Sequence, residues 1–489
     1  MLLGMALEQM PGIQRIGRRD VDICGISYDS RTVRKGDLFV AIKGEKSDGA
    51  RFIPQAIEKG AVAVASETRV EPEPDAAIII VPDARRFLAL ISRVFYEDPA
   101  EQLKLVAITG TNGKTTTSYL IESIYSHARI RSCLVGTIGM KIGFRTFHSA
   151  HTTPESSDLT KFFSQAVTEG CTHGALEVSS HSLALQRVFG TRFRVGVFMN
   201  LTRDHLDFHK DMESYFRAKQ LLFSAENGNR VEAAVINTDD PYGRRLESKV
   251  DCEIVSFGFN KEARIHVLDC QSRVDGTDLT LRTPVGDISY RSHLIGRPNI
   301  YNVMAATGAA LSLGIHRDEI RDGVEGLEGV PGRVERVDEG QDFTVVVDYA
   351  HSPDALENLL DTVSRLPHGK LITVFGCGGD RDKTKRPVMG EIAVRMSDLV
   401  LATSDNPRSE DPLEILKEIE AGMHKGPAPY KIIPDRRNAI GAAISTARKG
   451  DVVVIAGKGH EDYQILGDRT IHFDDREVAG ELIHELSNR

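Results

Sequence analysis

Gly110-Thr111-Asn112-Gly113-Lys114-Thr115-Thr116-Thr117 follows the apolar run Leu105-Val106-Ala107-Ile108. A glycine-rich turn between a strand and a helix aims backbone N–H groups and a helix N-terminus at an anion. In that layout Lys114 reaches the terminal phosphates of a nucleotide and a threonine hydroxyl meets Mg²⁺. The stretch departs from the strict G-x-x-x-x-G-K-[ST] pattern, because Ile108 stands five before Gly113. Its compact G-T-N-G-K-T form matters in its own right; the plain alternative is a strand–turn–helix corner.

Further polar clusters close other apolar runs. Glu177-Val178-Ser179-Ser180-His181 ends one, and Asn200-Leu201-Thr202-Arg203-Asp204-His205-Leu206-Asp207 follows another. Beside a phosphate loop, a carboxylate or imidazole holds Mg²⁺ or orients phosphate. His205 and His209, four apart, also suit a zinc pair, but no third soft ligand has a telling spacing. Lys219 lies in a short amphipathic helix over 215–223, and most helical lysines are solvated. The last third carries four more clusters: Asp348-Tyr349-Ala350-His351, Gly376-Cys377-Gly378-Gly379-Asp380-Arg381, Ser404-Asp405-Asn406-Pro407-Arg408 and Gly457-Lys458-Gly459-His460-Glu461. None contains G-x-G-x-x-G, so a dinucleotide site is weakly supported. Near the N-terminus, Tyr28-Asp29-Ser30-Arg31 and Gly44-Glu45-Lys46-Ser47-Asp48-Gly49 are polar turns of the ordinary solvated kind.

The elements that must carry these clusters divide the chain into three parts: 1–98, 99–331 and 332–489. In the first, 36–42, 61–66 and 77–81 predict strands, 84–96 a helix and 70–75 a surface loop. In the second, strands over 132–136, 174–178, 195–199, 233–236 and 254–257 alternate with helices, which predicts a mostly parallel sheet. Pro298 opens a helix running through Ala310, and Gly329-Val330-Pro331-Gly332-Arg333 is a hinge. The third part has the cleanest period. Strands over 343–347, 371–375, 399–403, 431–433 and 452–456 alternate with helices near 353–366, 387–396, 412–424 and 435–448. That is a doubly wound parallel α/β sheet, and four of its strands end in the four clusters, on one rim where ligands collect.

Composition bounds the rest. At 489 residues the chain exceeds one core, and 41% hydrophobic with 27% charged residues is the balance of a soluble globular protein. A net charge of −9 argues against a nucleic-acid surface. The strongest apolar runs are strand-sized, and residues 1–12 lack a signal-peptide pattern, so neither membrane insertion nor secretion is expected. Six scattered cysteines without C-x-x-C fit reduced cytoplasmic thiols.

Taken in order, these motifs resemble the ATP-dependent Mur ligases of peptidoglycan synthesis, and among them the members that add the third residue of the peptide. The resemblance rests on G-T-N-G-K-T-T at 110–116, H-T-T-P-E at 151–155, E-V-S-S-H at 177–181, N-L-T-R-D-H-L-D at 200–207, Lys219, G-R-P-N at 296–299, P-G-R at 331–333, D-Y-A-H at 348–351, G-G-D-R-D-K at 378–383, D-N-P-R at 405–408 and G-K-G-H-E at 457–461. It implies a UDP-substrate-binding first domain, a central ATPase and a Rossmann-like C-terminal amino-acid-binding domain that closes over ATP. It implies amide formation as well: ATP phosphorylates the D-glutamyl γ-carboxylate of UDP-MurNAc-L-Ala-D-Glu, and an incoming amine displaces phosphate. Carried over residue by residue, Gly110, Thr111, Asn112, Gly113, Lys114, Thr115 and Thr116 cradle ATP, with Asn299, Arg333 and Asp348 completing the nucleotide site. Thr115 and Glu177 hold Mg²⁺, His205 serves a second metal position, and Lys219 carries a CO₂-derived carbamate that turns a cation into a metal-compatible anion. Ser30, Thr152, Thr153, Ser179 and Arg187 hold the UDP-sugar peptide. Two departures bear on the uridine end: Glu45-Lys46-Ser47 where some relatives have His-Gln-Ala, and Leu185 where some have glutamine. A monomer without nucleic-acid partners is expected.

The amino acid to be added is read from Asp405-Asn406-Pro407-Arg408. Diaminopimelate ends in a second amino-acid head, whereas lysine ends in a bare ammonium. The Arg408 guanidinium suits the distal carboxylate through paired hydrogen bonds and repels an ammonium. Glu461 is expected to take the distal ammonium, Arg381 another carboxylate, and Gly457 to line the same pocket, which favours meso-diaminopimelate. The alternatives are the lysine-adding relative, folylpolyglutamate synthase, which shares the acyl-phosphate route but not D-N-P-R, and a P-loop regulatory or transport ATPase.

Overall fold

The computed structural model describes residues 1–8, 10, 13–16, 21–44, 47–70, 76–149, 151–273 and 276–487. The expected loop over 70–75, apart from Val70, and the departures at Glu45 and Lys46 lie outside the described residues.

Three sheets follow one another along the chain. The first has the order Gln14–Ile16, Ala77–Ile80, Ala63–Ser66, Asp37–Val40, Gly25–Ser27; its first strand runs antiparallel and the others parallel. The strands expected over 36–42, 61–66 and 77–81 form within two residues of those limits. The two outer strands, three residues each, are too short to leave a pattern in the sequence. Helix Ala84–Phe95 covers this sheet with Phe87, Leu88 and Ile91, and Asp83 caps it by accepting from Arg85 N and Arg86 N.

The second sheet has eleven strands, in the order Gly286–Ser292, Gly276–Thr283, Ile265–Arg273, Glu253–Gly258, Arg230–Asn237, Arg192–Phe198, Lys104–Thr109, His173–Glu177, Ser132–Val135, Met140–Ile142, Arg145–Phe147. From Ile265–Arg273 across to Ser132–Val135 every pairing is parallel. The antiparallel edges, 140–147 and 265–292, carry mixed polar residues with exposed faces and escape a search for apolar runs. The register fixes the site: Glu177 pairs with Ile108 and Phe198 with Thr109, so three strands end together around Gly110. Helix Lys114–His127 leaves that point and buries Leu120, Ile121 and Ile124 against helices Arg297–Ser312 and Arg317–Glu325.

The third sheet runs Glu335–Val337, Thr344–Asp348, Val452–Ala456, Leu371–Phe375, Leu399–Ala402, Tyr430–Ile432, all parallel except the first strand. Alternation along the strands serves two cores. Leu371, Phe375, Val452 and Val454 face helices Pro353–Ser364, Lys385–Met396 and Pro412–Met423. Ile372, Val374, Val453 and Ile455 face helices Arg436–Thr446 and Asp475–Ser487. This is the doubly wound α/β arrangement expected, with all four polar clusters at the C-terminal ends of parallel strands. A small hairpin, Tyr463–Leu466 with Arg469–His472, was not expected and lies against the rim. No helix among the described residues is long and apolar enough to cross a membrane.

Candidate active site

The phosphate loop is tied down from the neighbouring strand end. Thr111 N donates to Asn200 O at 3.0 Å, and Asn112 N to Asn200 Oδ1 at 2.9 Å. Gly113, at φ +87°, turns the chain into the helix, and a Cβ there would meet Asn302 Oδ1 at 2.4 Å. No side chain caps this helix, so the N–H groups of its first turn, Thr115 and Thr116 among them, face the loop. Lys114 arches back over the loop, its Nζ donating to Gly110 O at 2.9 Å and Thr111 O at 3.0 Å, and burial lowers its pKa.

Beside the loop stands Glu177, fully buried. Its Oε2 accepts from Thr115 Oγ1 at 3.0 Å and from Thr137 Oγ1 at 2.9 Å, and its Oε1 accepts from Thr137 N at 2.9 Å. Lys219 is 1% exposed and donates to Gly110 O at 2.9 Å, beneath the same loop. Burial, reinforced by the nearby Lys114 charge, takes its pKa well below the usual lysine range. The solvated lysine of the sequence pattern is therefore a buried amine. His205 sits at φ +53°, 3.4 Å from Asp204 Oδ2 and edge-on to His181 at 4.8 Å. Burial pushes its pKa down to about 3 against the pull of Asp204. His209 turns away to Ser180 Oγ at 2.9 Å and stacks on Tyr215. Among the described residues no group of three or more His, Cys, Asp or Glu side chains is arranged to hold a metal, as the zinc alternative requires.

The rim of the third sheet faces this loop. Arg333 Nη2 reaches Thr115 Oγ1 at 3.3 Å, and its guanidinium lies 4.8 Å from the Tyr349 ring. Asp348 is buried and accepts from Val334 N at 2.8 Å; burial raises its pKa while Arg333 lowers it. Asn299 serves the helix below the loop, donating to Ile295 O and accepting from Asn302 Nδ2.

Along the same rim, Asn406 Nδ2 donates to Glu461 Oε2 at 2.8 Å, and Arg408 Nη1 donates to Gly379 O at 2.8 Å. Arg408 is held at φ +53° by the unexpected hairpin: its N–H donates to Ile465 O, and its carbonyl accepts from Gly467 N. Gly457, at φ +122°, leaves room for Asp405, since a Cβ would lie 2.7 Å from Asp405 Oδ2. Pro407 is buried between these turns. Burial, then the Asp405 charge, raises the Glu461 pKa. Arg381 does not join this cluster through a hydrogen bond. It is exposed, and its Nη1 donates to the carbonyl of Asp380 beside it.

Behind Glu177, the residues assigned to the sugar peptide come together. Thr152 Oγ1 lies 3.1 Å from Thr137 Oγ1, Thr153 Oγ1 donates to Glu177 O at 2.8 Å, and Ser179 N donates to Thr153 Oγ1 at 3.2 Å. Arg187 donates to Thr153 O and to Glu155 Oε1. Ser30 instead donates to Gln55 Oε1, while its neighbour Tyr28 reaches Asp158 Oδ2 at 2.6 Å. Sequence reasoning placed Glu155 within H-T-T-P-E without giving it a role, though it also pairs with Arg85 of the helix that covers the first sheet, and did not single out Thr137. Thr137 follows the strand end at Val135, the same kind of position that marked the other clusters.

Three family models match in succession: the Mur ligase family catalytic domain over residues 22–96, the Mur ligase middle domain over 108–310 and the Mur ligase glutamate ligase domain over 332–459. The UDP-N-acetylmuramoyl-L-alanyl-D-glutamate–2,6-diaminopimelate ligase of Solibacter usitatus is 48% identical over 462 residues, 94% of each chain. The ligase of the same name from Gloeobacter violaceus is 49% identical over 472 residues, 96% of each chain. A solved structure of a ligase with that name superposes with a TM-score of 0.71 at 34% identity, covering 100% of both chains. Matched by these relatives over 94% and 96% of its length, the chain belongs to the Mur ligase family.

Proposed function

We propose that this chain is an ATP-dependent acid–amino-acid ligase of peptidoglycan precursor synthesis, acting as a cytoplasmic monomer. It joins meso-2,6-diaminopimelate to the D-glutamyl γ-carboxylate of UDP-MurNAc-L-Ala-D-Glu and releases ADP and phosphate. The observation that carries the reading is the rim opposite the phosphate loop, where Asn406 binds Glu461 and Arg408 stands two residues on. A guanidinium and a carboxylate on one rim, both tied to Asn406, match the zwitterionic far end of diaminopimelate; an L-lysine ammonium would meet Arg408 with like charge. The names of the relatives at 48% and 49% identity support the same choice.

A carboxylate is a poor acyl donor because oxide is a poor leaving group, and phosphorylation replaces it with phosphate. Transfer between anions depends on positive charge and in-line placement, which Lys114 and the N–H groups at Thr115 and Thr116 provide. The amine of diaminopimelate then forms a bond to the acyl carbon, the tetrahedral intermediate expels phosphate, and the nitrogen gives up a proton.

The residues present fit a magnesium ion. Glu177 and Thr115 supply hard oxygen ligands at the mouth of the phosphate cradle, and Mg²⁺ commonly takes one or two protein oxygens with phosphate and water. Bound there, the ion neutralises phosphate charge. His205 belongs to a second position. Lys219 fits a carbamate: CO₂ adds only to a neutral amine, and burial beside Lys114 disfavours the protonated form of this one.

Phosphate release from ATP, measured with UDP-MurNAc-L-Ala-D-Glu and each candidate amino acid, tests the reading. Meso-diaminopimelate should give phosphate and amide together, and a higher kcat/KM with L-lysine would overturn the substrate choice. For Lys219, enzyme depleted of CO₂ should regain activity with bicarbonate and show a carbamate ¹³C resonance from labelled bicarbonate. Wild-type turnover in Lys219→Ala would refute the carbamate.

A further inference from the structure

The phosphate loop meets the third sheet at a second place, apart from Arg333. Asp354 lies in the first turn of helix Pro353–Ser364, which Ser352 caps. One of its oxygens, Oδ2, accepts from Asn112 Nδ2 at 2.6 Å and from Thr202 Oγ1 at 3.1 Å. The two donors come from different loops of the central sheet, 242 and 152 residues before Asp354. Those loops are stitched to each other, since Thr202 N donates to Thr111 Oγ1 at 3.0 Å and Asn112 N to Asn200 Oδ1 at 2.9 Å. Both donors reach a single oxygen only when both loops are seated and the third sheet is docked. Burial raises the pKa of Asp354, while the hydrogen bonds from Thr202 and Asn112 and the helix N-terminus favour its carboxylate form.

We infer that Asp354 is a positioning residue that couples the seating of the phosphate loop to the docking of the amino-acid-bearing sheet, so that the acyl phosphate meets amine before it meets water. The inference rests on the ligase reading above. Two fates compete at the acyl carbon. In the productive one, the amine nitrogen bonds to that carbon, the C–O bond to phosphate breaks, phosphate leaves with the electron pair, and the nitrogen loses a proton. In the leak, water oxygen forms the bond, the same C–O bond breaks, and the carboxylate returns with release of phosphate and a proton. Water arrives unaided, whereas the amine arrives on the third sheet. Loosening the dock therefore favours the leak.

The test counts phosphate and amide in the same assay, with the full chain and saturating ATP, UDP-MurNAc-L-Ala-D-Glu and meso-diaminopimelate. The wild type releases one phosphate for each amide. Asp354→Ala should lower amide formation roughly ten- to a hundredfold, the scale of a lost hydrogen bond to a charged group, and raise the phosphate-to-amide ratio above one. Asp354→Asn keeps one acceptor oxygen and should fall between; it decides the matter if the alanine variant does not fold. In a double-mutant cycle, Asn112→Ala with Asp354→Ala should be no worse than the worse single variant, within about twofold. A ratio that stays at one together with additive losses overturns the inference. A wild type that forms no amide with any amino acid is a different failure: it sinks the ligase reading and takes this inference with it.

Discussion

Thr115 Oγ1 lies 3.0 Å from Glu177 Oε2, joining the first turn of the helix after the phosphate loop to the end of the adjacent strand. Thr137 donates to both carboxylate oxygens, and Gly136 lets the group approach, because a Cβ at Gly136 would lie 2.2 Å from Glu177 Oε1. The carboxylate's place is thus set by a backbone that leaves no room for anything else.

Two substitutions probe that placement. Glu177→Gln keeps the shape and removes the charge. Gly136→Ala keeps the charge and displaces it. Both should raise the Mg²⁺ concentration for half-maximal phosphate release, by roughly ten- to a hundredfold for the displaced ligand. Magnesium titration of phosphate release is the measurement, and an unchanged midpoint in both variants would remove Glu177 from the metal site.

How far such a site is legible before folding depends on where its information lies. Leu371–Phe375 and Val452–Ala456 form where their apolar runs stand, because a strand covered on both faces is written as continuous hydrophobicity. The polar clusters are legible for the same reason, as they interrupt those runs at one end. Lys219 is not legible by pattern: its helix has the amphipathic spacing of a surface helix, and only the crossing beneath Gly110 buries its amine. The contacts of Glu155 and Asp354 escape for a related reason. Their partners, Arg85 and Asn112, lie 70 and 242 residues away, and local periodicity carries nothing about them. The hairpin that fixes Arg408 has only one buried residue, Gln464, among its eight strand positions, too little to stand out from a loop.

Arg408 is expected to govern the choice of amino acid. Its guanidinium spends Nη1 on carbonyl oxygens of Gly379 and Asn406, which orient it without neutralising it. Arg408→Ala should raise KM for meso-diaminopimelate roughly ten- to a hundredfold with a smaller change in kcat. The preference over L-lysine should shrink with it. Arg408→Lys retains charge but loses the planar fork, and should lie between. Steady-state kinetics with the two amino acids read the outcome, and an unchanged ratio in Arg408→Ala would assign selection elsewhere.

His173 makes stability depend on acid. It is buried near the Tyr125 ring, and burial, then Lys104, lowers its pKa from 6.5 to about 4. Between those values the unfolded chain binds more protons than the folded one, so stability rises with pH. The contribution is complete above the unfolded value and is lost as pH falls toward about 4. Urea unfolding at about pH 7.5 and about pH 5 should show a drop in midpoint that His173→Gln reduces. An equal drop in the variant would place the acid sensitivity in other groups.

Arg436 and Asp475 form an ion pair with both side chains fully buried, Nε to Oδ1 and Nη2 to Oδ2 each at 2.7 Å. The same guanidinium donates to Ser404 O at 3.3 Å and Ala456 O at 3.1 Å. These carbonyls begin the two turns that carry Asn406 with Arg408, and Glu461. Arg436→Met strands a buried carboxylate and should cost about 3–5 kcal/mol in urea unfolding. Arg436→Met with Asp475→Leu removes both charges and should recover most of that stability. The carbonyls still lack their donor in the double variant, so KM for meso-diaminopimelate should stay raised while KM for ATP moves little. Recovery of stability and of amino-acid KM together would mean that the two turns hold their geometry without the guanidinium, and that the pair serves folding alone.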